Sequence, residues 1–204
     1  MINTVIFDIG NVLTDFRWRE FLDSFGFSGG IQERIAKAAM LSDAWNNFDR
    51  GFPDDAVLNE FIRNDPGIEK ELRLMFNNIG PTLKMFDTTI PWLDELHSQG
   101  YRTLVLSNLS HKSLTECADD MKFLTHVDGG ILSFRIGKIK PYPEIYETLI
   151  EWFRLNPSEC VFLDDKKINI DAARKLGFNG IVFSDRHTAL DEMEKLGIKE
   201  SSVR

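Results

Sequence analysis

The chain has 204 residues, 43% hydrophobic and 27% charged, with a net charge of -8 from 24 Lys and Arg against 32 Asp and Glu. These proportions exclude a disordered or low-complexity chain and supply enough apolar mass for a sizeable core, in one domain or one domain with an insertion. An acidic chain with no basic stripe is a poor ligand for nucleic acid or an anionic membrane, and no apolar run approaches the ~18 residues of a membrane span.

Residues 4–7, Thr-Val-Ile-Phe, are β-formers ended by Asp8 and Gly10, which predicts a buried strand. Trp18, Phe21, Leu22 and Phe25 then recur at helical spacing, and Gly26 with Gly29-Gly30 is expected to stop that helix. Ile31, Ile35, Ala38 and Ala39 suggest a second helix. Asn47-Phe48-Asp49-Arg50-Gly51 breaks the rhythm and reads as a loop. Asp54 or Asp55 is placed to cap a third helix, and Leu72, Met75, Phe76 and Ile79 mark a fourth before Gly80-Pro81. No strand-like alternation occurs between 17 and 80.

After Pro81 strands and helices alternate. Thr89 is expected to cap a helix running to Gly100, followed by a strand at 103–106. Ser110 caps the next helix, and 126–132 holds a short strand. A helix at 143–153 precedes a strand at 161–163. A helix at 168–176, a strand at 180–183 and a helix at 187–196 complete the pattern. The polar tail 199–204 is expected to fray. The fold class is therefore α/β, a doubly wound parallel sheet formed by 1–16 and 81–204, with a helical subdomain inserted at 17–80.

The start MINTVIFDIGN has no basic segment, apolar stretch or cleavage site of a secretory leader, and Cys117 and Cys160 make no disulfide framework. Reduced thiols in a cytoplasmic protein are the expectation. The four histidines lack zinc-ligand spacing.

Ligands of doubly wound sheets bind beyond the carboxyl ends of the strands. There the sequence puts Asp8, Gly10 and Asn11, then Ser107-Asn108, then Asp164-Asp165, with Lys140-Pro141 ahead of a crossover helix. Three carboxylates on one edge repel unless a cation joins them, and an all-oxygen set suits Mg2+. A hydroxyl, an amide and main-chain N–H groups at a strand–helix turn can cradle phosphate oxygens, and a lysine can steady them. One aspartate is then free to attack phosphorus.

Four segments, in order, carry a resemblance. They are Phe7-Asp8-Ile9-Gly10-Asn11-Val12-Leu13, Val105-Leu106-Ser107-Asn108, the stretch from Gly137 through Lys140-Pro141 to Tyr146, and Phe162-Leu163-Asp164-Asp165 with Asn169. Together they resemble the motifs of haloacid-dehalogenase-superfamily phosphatases, and the Asp-x-Gly-Asn start resembles a sugar-phosphate phosphatase subgroup with a helical cap. The resemblance implies Asp8 as nucleophile and Mg2+ ligand, Gly10 as a carbonyl ligand, and Asp165 as the main acidic ligand. It leaves Asp164 as either a ligand or a support for one. Ser107 and Asn108 would bind the phosphoryl group, and Lys140 would steady nucleophile and phosphate. The implied activity is Mg2+-dependent hydrolysis of a small phosphorylated metabolite through an aspartyl-phosphate. The alternatives are a 2-haloacid dehalogenase, which generally lacks the acidic pair, and a weakly catalytic phosphate-binding module.

Most such phosphatases carry an acid–base Asp two residues after the nucleophile, where this chain has Gly10. Asp15, His111 and a metal-bound water are the candidate replacements. Arg50, in the expected 47–51 loop, is the candidate for reaching the substrate beyond its phosphate.

Overall fold

The computed structural model describes residues 1–199, so the expectation for the tail from residue 200 onward lies outside the described residues. Seven strands are present among them. Five, β1 (Thr4–Phe7), β4 (Arg102–Ser107), β5 (Gly130–Leu132), β6 (Cys160–Asp164) and β7 (Asn179–Val182), form a parallel sheet in the order β5-β4-β1-β6-β7. β1 is the centre of the sheet, and the chain passes to β4 on one side before returning to β6 on the other. That reversal opens a crevice at the carboxyl ends of these three strands.

The side chains of each strand divide between two apolar layers, as the two-residue strand period requires. Val5 and Phe7 of β1, Val105 of β4 and Leu163 of β6 join a layer with Trp92 and Leu93 of α6 (Thr89–Ser98) and Met193 of α10 (Arg186–Lys195). Ile6, Leu104, Leu106 and Phe162 face the opposite layer, built with Tyr146 and Leu149 of α8 (Pro143–Phe153) and Ile170 and Ala173 of α9 (Lys167–Lys175). Both faces of the sheet are covered, which is why its strands read as continuous apolar runs.

Between β2 (Thr14–Phe16) and β3 (Leu83–Met85) lie five α-helices, α1 (Trp18–Asp23), α2 (Gly29–Ala38), α3 (Asp43–Asp49), α4 (Asp54–Asn64) and α5 (Glu69–Phe76). They bury an apolar cluster of their own, with Phe48, Phe61 and Phe76 at its centre. The two chain crossings into this block are paired: β2 and β3 form an antiparallel ribbon from Thr14↔Met85 to Phe16↔Leu83.

Several local expectations differ from the structure. Gly29 and Gly30 do not stop the first helix, which ends at Asp23; they open α2. The expected 47–51 loop is largely helical, because α3 runs through Asp49 with Phe48 and Asp49 both buried. Only Arg50 and Gly51 turn the chain, Gly51 at φ +82°, where a Cβ would stand 2.7 Å from the Phe134 carbonyl oxygen. Asp54 and Asp55 lie in the first turn of α4 and favour its dipole without capping it. Thr89 is not the cap of α6 either: its buried hydroxyl donates to the Leu13 carbonyl at 2.6 Å and ties the helix to the loop after β1. Ser110 caps α7 (His111–Glu116) as expected, accepting from the Ser113 N–H at 3.0 Å. The short strand expected within 126–132 is β5, at Gly130–Leu132. Gly130 has φ +149°, and a Cβ there would lie 2.2 Å from the Val105 carbonyl oxygen.

Candidate active site

The loop after β1 coils around one carbonyl. The oxygen of Ile9 accepts from the N–H groups of Leu13 and Thr14, both at 2.9 Å. Asn11 adopts φ +60°, a left-handed conformation that asparagine tolerates. That turn aims both ends of the Asn11 amide: Oδ1 accepts from the Phe16 N–H at 3.1 Å, and Nδ2 donates to Asp165 Oδ2 at 2.9 Å.

Asp8, the residue after β1, is anchored by its own N–H, which donates to the Leu163 carbonyl at 2.9 Å. Its Oδ1 accepts from the Ile9 N–H at 2.7 Å and pairs with Lys140 Nζ at 2.8 Å. Lys140 also reaches Asp164 Oδ2 at 2.6 Å, so one buried ammonium bridges the ends of β1 and β6. Burial opposes the charge on Lys140, but Asp164 and Asp8 outweigh it and hold its pKa above the ordinary lysine value. Burial, aided by the nearby Asp164 charge and opposed by Lys140, raises Asp8 to about 6.

Asp164 and Asp165 are neighbours with different environments. Asp164 has no exposed surface and four bonds. Oδ1 accepts from Lys166 N–H at 2.8 Å and Asn169 Nδ2 at 2.9 Å, and Oδ2 from Lys140 Nζ and again from Asn169 Nδ2. Asp165 is partly exposed, and the Asn11 amide is its hydrogen-bond partner. Oxygens of Asp8, Asp164 and Asp165 lie within 4.8 Å of one another. Lys140 can neutralise only one of three carboxylates, so the donor set fits a hard divalent cation. Asp8 and Asp165 have oxygen capacity left for it, whereas both Asp164 oxygens are already engaged.

Ser107, at the end of β4, is buried beside Asp8, whose acidity its hydroxyl increases by hydrogen bonding. Asn108 follows it and lines the same cleft. Its Oδ1 accepts from Lys140 N–H at 2.8 Å and its Nδ2 donates to the Lys140 carbonyl at 3.0 Å, so its side chain is committed to holding Lys140.

These residues open into a cleft of about 300 Å³ between the sheet edge and the helical block, with Phe16 of β2 and Met40, Trp45 and Asp49 of the block in its walls. Arg50 is not among the lining residues. Its guanidinium lies 5.7 Å from the centre of the Tyr142 ring and 3.3 Å from Asn47 Oδ1. Because α3 continues through Asp49, side chains one residue apart point about 100° apart. Asp49 therefore takes the cleft side, and Arg50 turns away.

Sequence reasoning singled out Arg50 in this stretch and gave its neighbour Asp49 no chemical role. Burial raises its pKa to about 7, Asp8 adds to the rise, and Lys166, Lys140 and Arg50 pull against it. A carboxyl with a raised folded-state pKa binds more protons in the native state, so stability falls as pH rises from its ordinary range toward 7. Asp49→Asn removes that fall. In chelated buffer the variant should gain on the wild type by roughly 1–3 kcal/mol between about pH 5 and about pH 8, after allowing for the buried amide. Urea titrations at both pH values check this, and parallel pH dependences would contradict the buried placement.

Residues 2–177 match the haloacid dehalogenase-like hydrolase family, and the chain belongs to it. It is 30% identical over 142 residues to bifunctional epoxide hydrolase 2 of Sus scrofa, covering 70% of this chain but only 22% of that protein. It is 25% identical over 197 residues to D-ribitol-5-phosphate phosphatase of Bacteroides thetaiotaomicron, covering 87% of this chain and 90% of that one. A haloacid-dehalogenase-family enzyme of Bacteroides thetaiotaomicron, solved with magnesium and inorganic phosphate, superposes with a TM-score of 0.70 at 20% identity, covering 93% of this chain and 99% of that one. The chain is thus a hydrolase of this superfamily, with relatives that are phosphatases. No helix of the described residues is long and apolar enough to cross a membrane.

Proposed function

We propose that this hydrolase is a Mg2+-dependent phosphomonoesterase that acts on a small phosphorylated metabolite through an aspartyl-phosphate on Asp8. The observation that carries the reading is the buried Asp8–Lys140–Asp164 bridge with Asp165 beside it, at the floor of the cleft. Asp8, Asp165 and the Gly10 carbonyl would hold the cation, which would offset phosphoryl charge when bound. Lys140 keeps Asp8 oriented and largely ionised near neutrality, and Asp164 with Asn169 keeps Lys140 in place. Ser107 and main-chain N–H groups beyond β4 are the donors available to phosphoryl oxygens.

The cleft walls favour a polyol or sugar phosphate. Apart from Lys140 and Lys166, the charged groups lining it are acids, Asp43 and Asp49 among them, while Ser42 and Asn46 add neutral hydrogen-bonding groups. A second anionic group on the substrate would meet repulsion, whereas hydroxyls would find acceptors. Arg50 has no part in this reading.

A panel of phosphorylated metabolites, assayed with and without chelator, tests it. EDTA should abolish phosphate release and Mg2+ restore it. Asp165→Asn should raise the metal requirement more than Asp164→Asn, whose main cost should be stability. Metal-independent halide release from 2-haloacids would point to the dehalogenase instead.

A further inference from the structure

The motif residues supply a nucleophile and charge stabilisation but no proton for the leaving group. Gly10 has no side chain to offer one. Asp15 lies in β2, its side chain 49% exposed and 4.0 Å from Arg17, and does not line the cleft. His111 is exposed against the Phe134 ring and does not line it either.

Asp49 has the required placement. It is 9% exposed, lines the same cleft as Asp8, Ser107 and Lys140, and its carboxyl makes no hydrogen bond or ion pair among the described residues. Its main chain is fixed to the sheet domain. Ser133 Oγ donates to the Asp49 carbonyl at 2.6 Å while accepting from the Leu109 N–H at 2.9 Å, which ties the end of α3 to the loop after β4. A buried carboxyl without a partner is costly unless it is protonated. The charged groups around it, Lys166, Asp8, Lys140 and Arg50, leave it able to exchange a proton near neutrality.

We propose that Asp49, contributed by the helical block, is the acid that protonates the leaving alcohol and then the base that activates water. This rests on the phosphatase reading above. In the first step an Asp8 carboxylate oxygen bonds to phosphorus. The ester P–O bond breaks with its electron pair going to the leaving oxygen, which takes the Asp49 proton and departs as the alcohol. In the second step the Asp49 carboxylate takes a proton from water, and the water oxygen bonds to phosphorus. The P–O bond to Asp8 breaks, its electrons return to the Asp8 carboxylate, and phosphate leaves with Asp49 protonated again.

Two aryl esters separate this role from a structural one, because an acid matters most when the leaving group is a strong base. The leaving group of phenyl phosphate is about as basic as a tyrosine side chain, and that of 4-nitrophenyl phosphate is a far weaker base. With Mg2+ present, Asp49→Asn should lower kcat/KM for phenyl phosphate by about 10²–10⁴-fold and for 4-nitrophenyl phosphate by less than about tenfold. The variant should release a burst of nitrophenolate stoichiometric with enzyme and then turn over slowly, since water activation is also lost. An equal fall on both esters, or none on either, overturns the assignment. The wild type gives an independent reading: a normal solvent deuterium isotope effect on kcat/KM for phenyl phosphate is expected, and its absence also overturns the assignment. Wild-type inactivity on both esters overturns the phosphatase reading itself.

Discussion

Asp8→Asn is expected to lower turnover of phosphate esters by about 10⁴-fold or more without unfolding the protein. The main-chain N–H of residue 8 donates to Leu163 whatever the side chain is, so the end of β1 keeps its place. An amide oxygen can still accept from the Ile9 N–H, and Lys140 keeps Asp164 as its counter-ion. The change removes an oxyanion able to bond to phosphorus, and Ile9, Gly10 and Asn11, which follow it in the cleft lining, offer no carboxylate to replace it. Stability should hold or improve. Because Asp8 is raised to about 6 in the folded state, its ionised form costs stability above that pH, and asparagine avoids the cost. Steady-state rates with 4-nitrophenyl phosphate, set beside melting curves, make the measurement. Full activity in a folded variant would remove Asp8 from the mechanism.

Lys140→Met should lose activity and also destabilise the fold by about 3–5 kcal/mol, the usual cost of stripping one partner from a buried ion pair. Asp8 and Asp164 would face each other in the sheet edge without their shared ammonium. Asp8 would lose the Lys140 charge that opposes its rise, so its folded-state pKa climbs further. By the linkage relation the loss is then greatest around neutral pH and shrinks as acid protonates Asp8. Urea titrations of variant and wild type across that range give the difference directly. A small, pH-independent loss would show that the bridge does not hold the strand ends together. Asn108, which clamps the Lys140 main chain on both sides, gives the ammonium little freedom to move elsewhere.

The sequence marks the fold most directly where the information is local. Strand ends are marked by a change from β-formers to Asp, Gly or Asn within two or three residues, and that places Asp8, Ser107 and Asp164 on one edge once the strands are parallel. Asp164 and Asp165 were harder to divide. One ends the strand and the other follows it, and their difference lies in Lys140 and Asn169 on one side and Asn11 on the other, contacts that span five to 154 residues of sequence. Asn108 shows the same limit. A strand-end asparagine does not show in sequence that its side chain holds a lysine 32 residues away.

The amino-acid sequence by itself determined the doubly wound sheet, the inserted helices and the edge on which the acids, the hydroxyl and the lysine collect, because two-residue and 3.6-residue periods are properties of the local chain. Only the tertiary structure decided which residue of the helical block faces that edge. Phe48 is drawn into the block's aromatic core, which carries α3 three residues into the expected loop, and Ser133 then fixes the end of the helix against the sheet domain. Helical phase and that distant hydrogen bond put Asp49 into the cleft and turn Arg50 toward Tyr142. Neither residue's neighbours in sequence could have chosen between them.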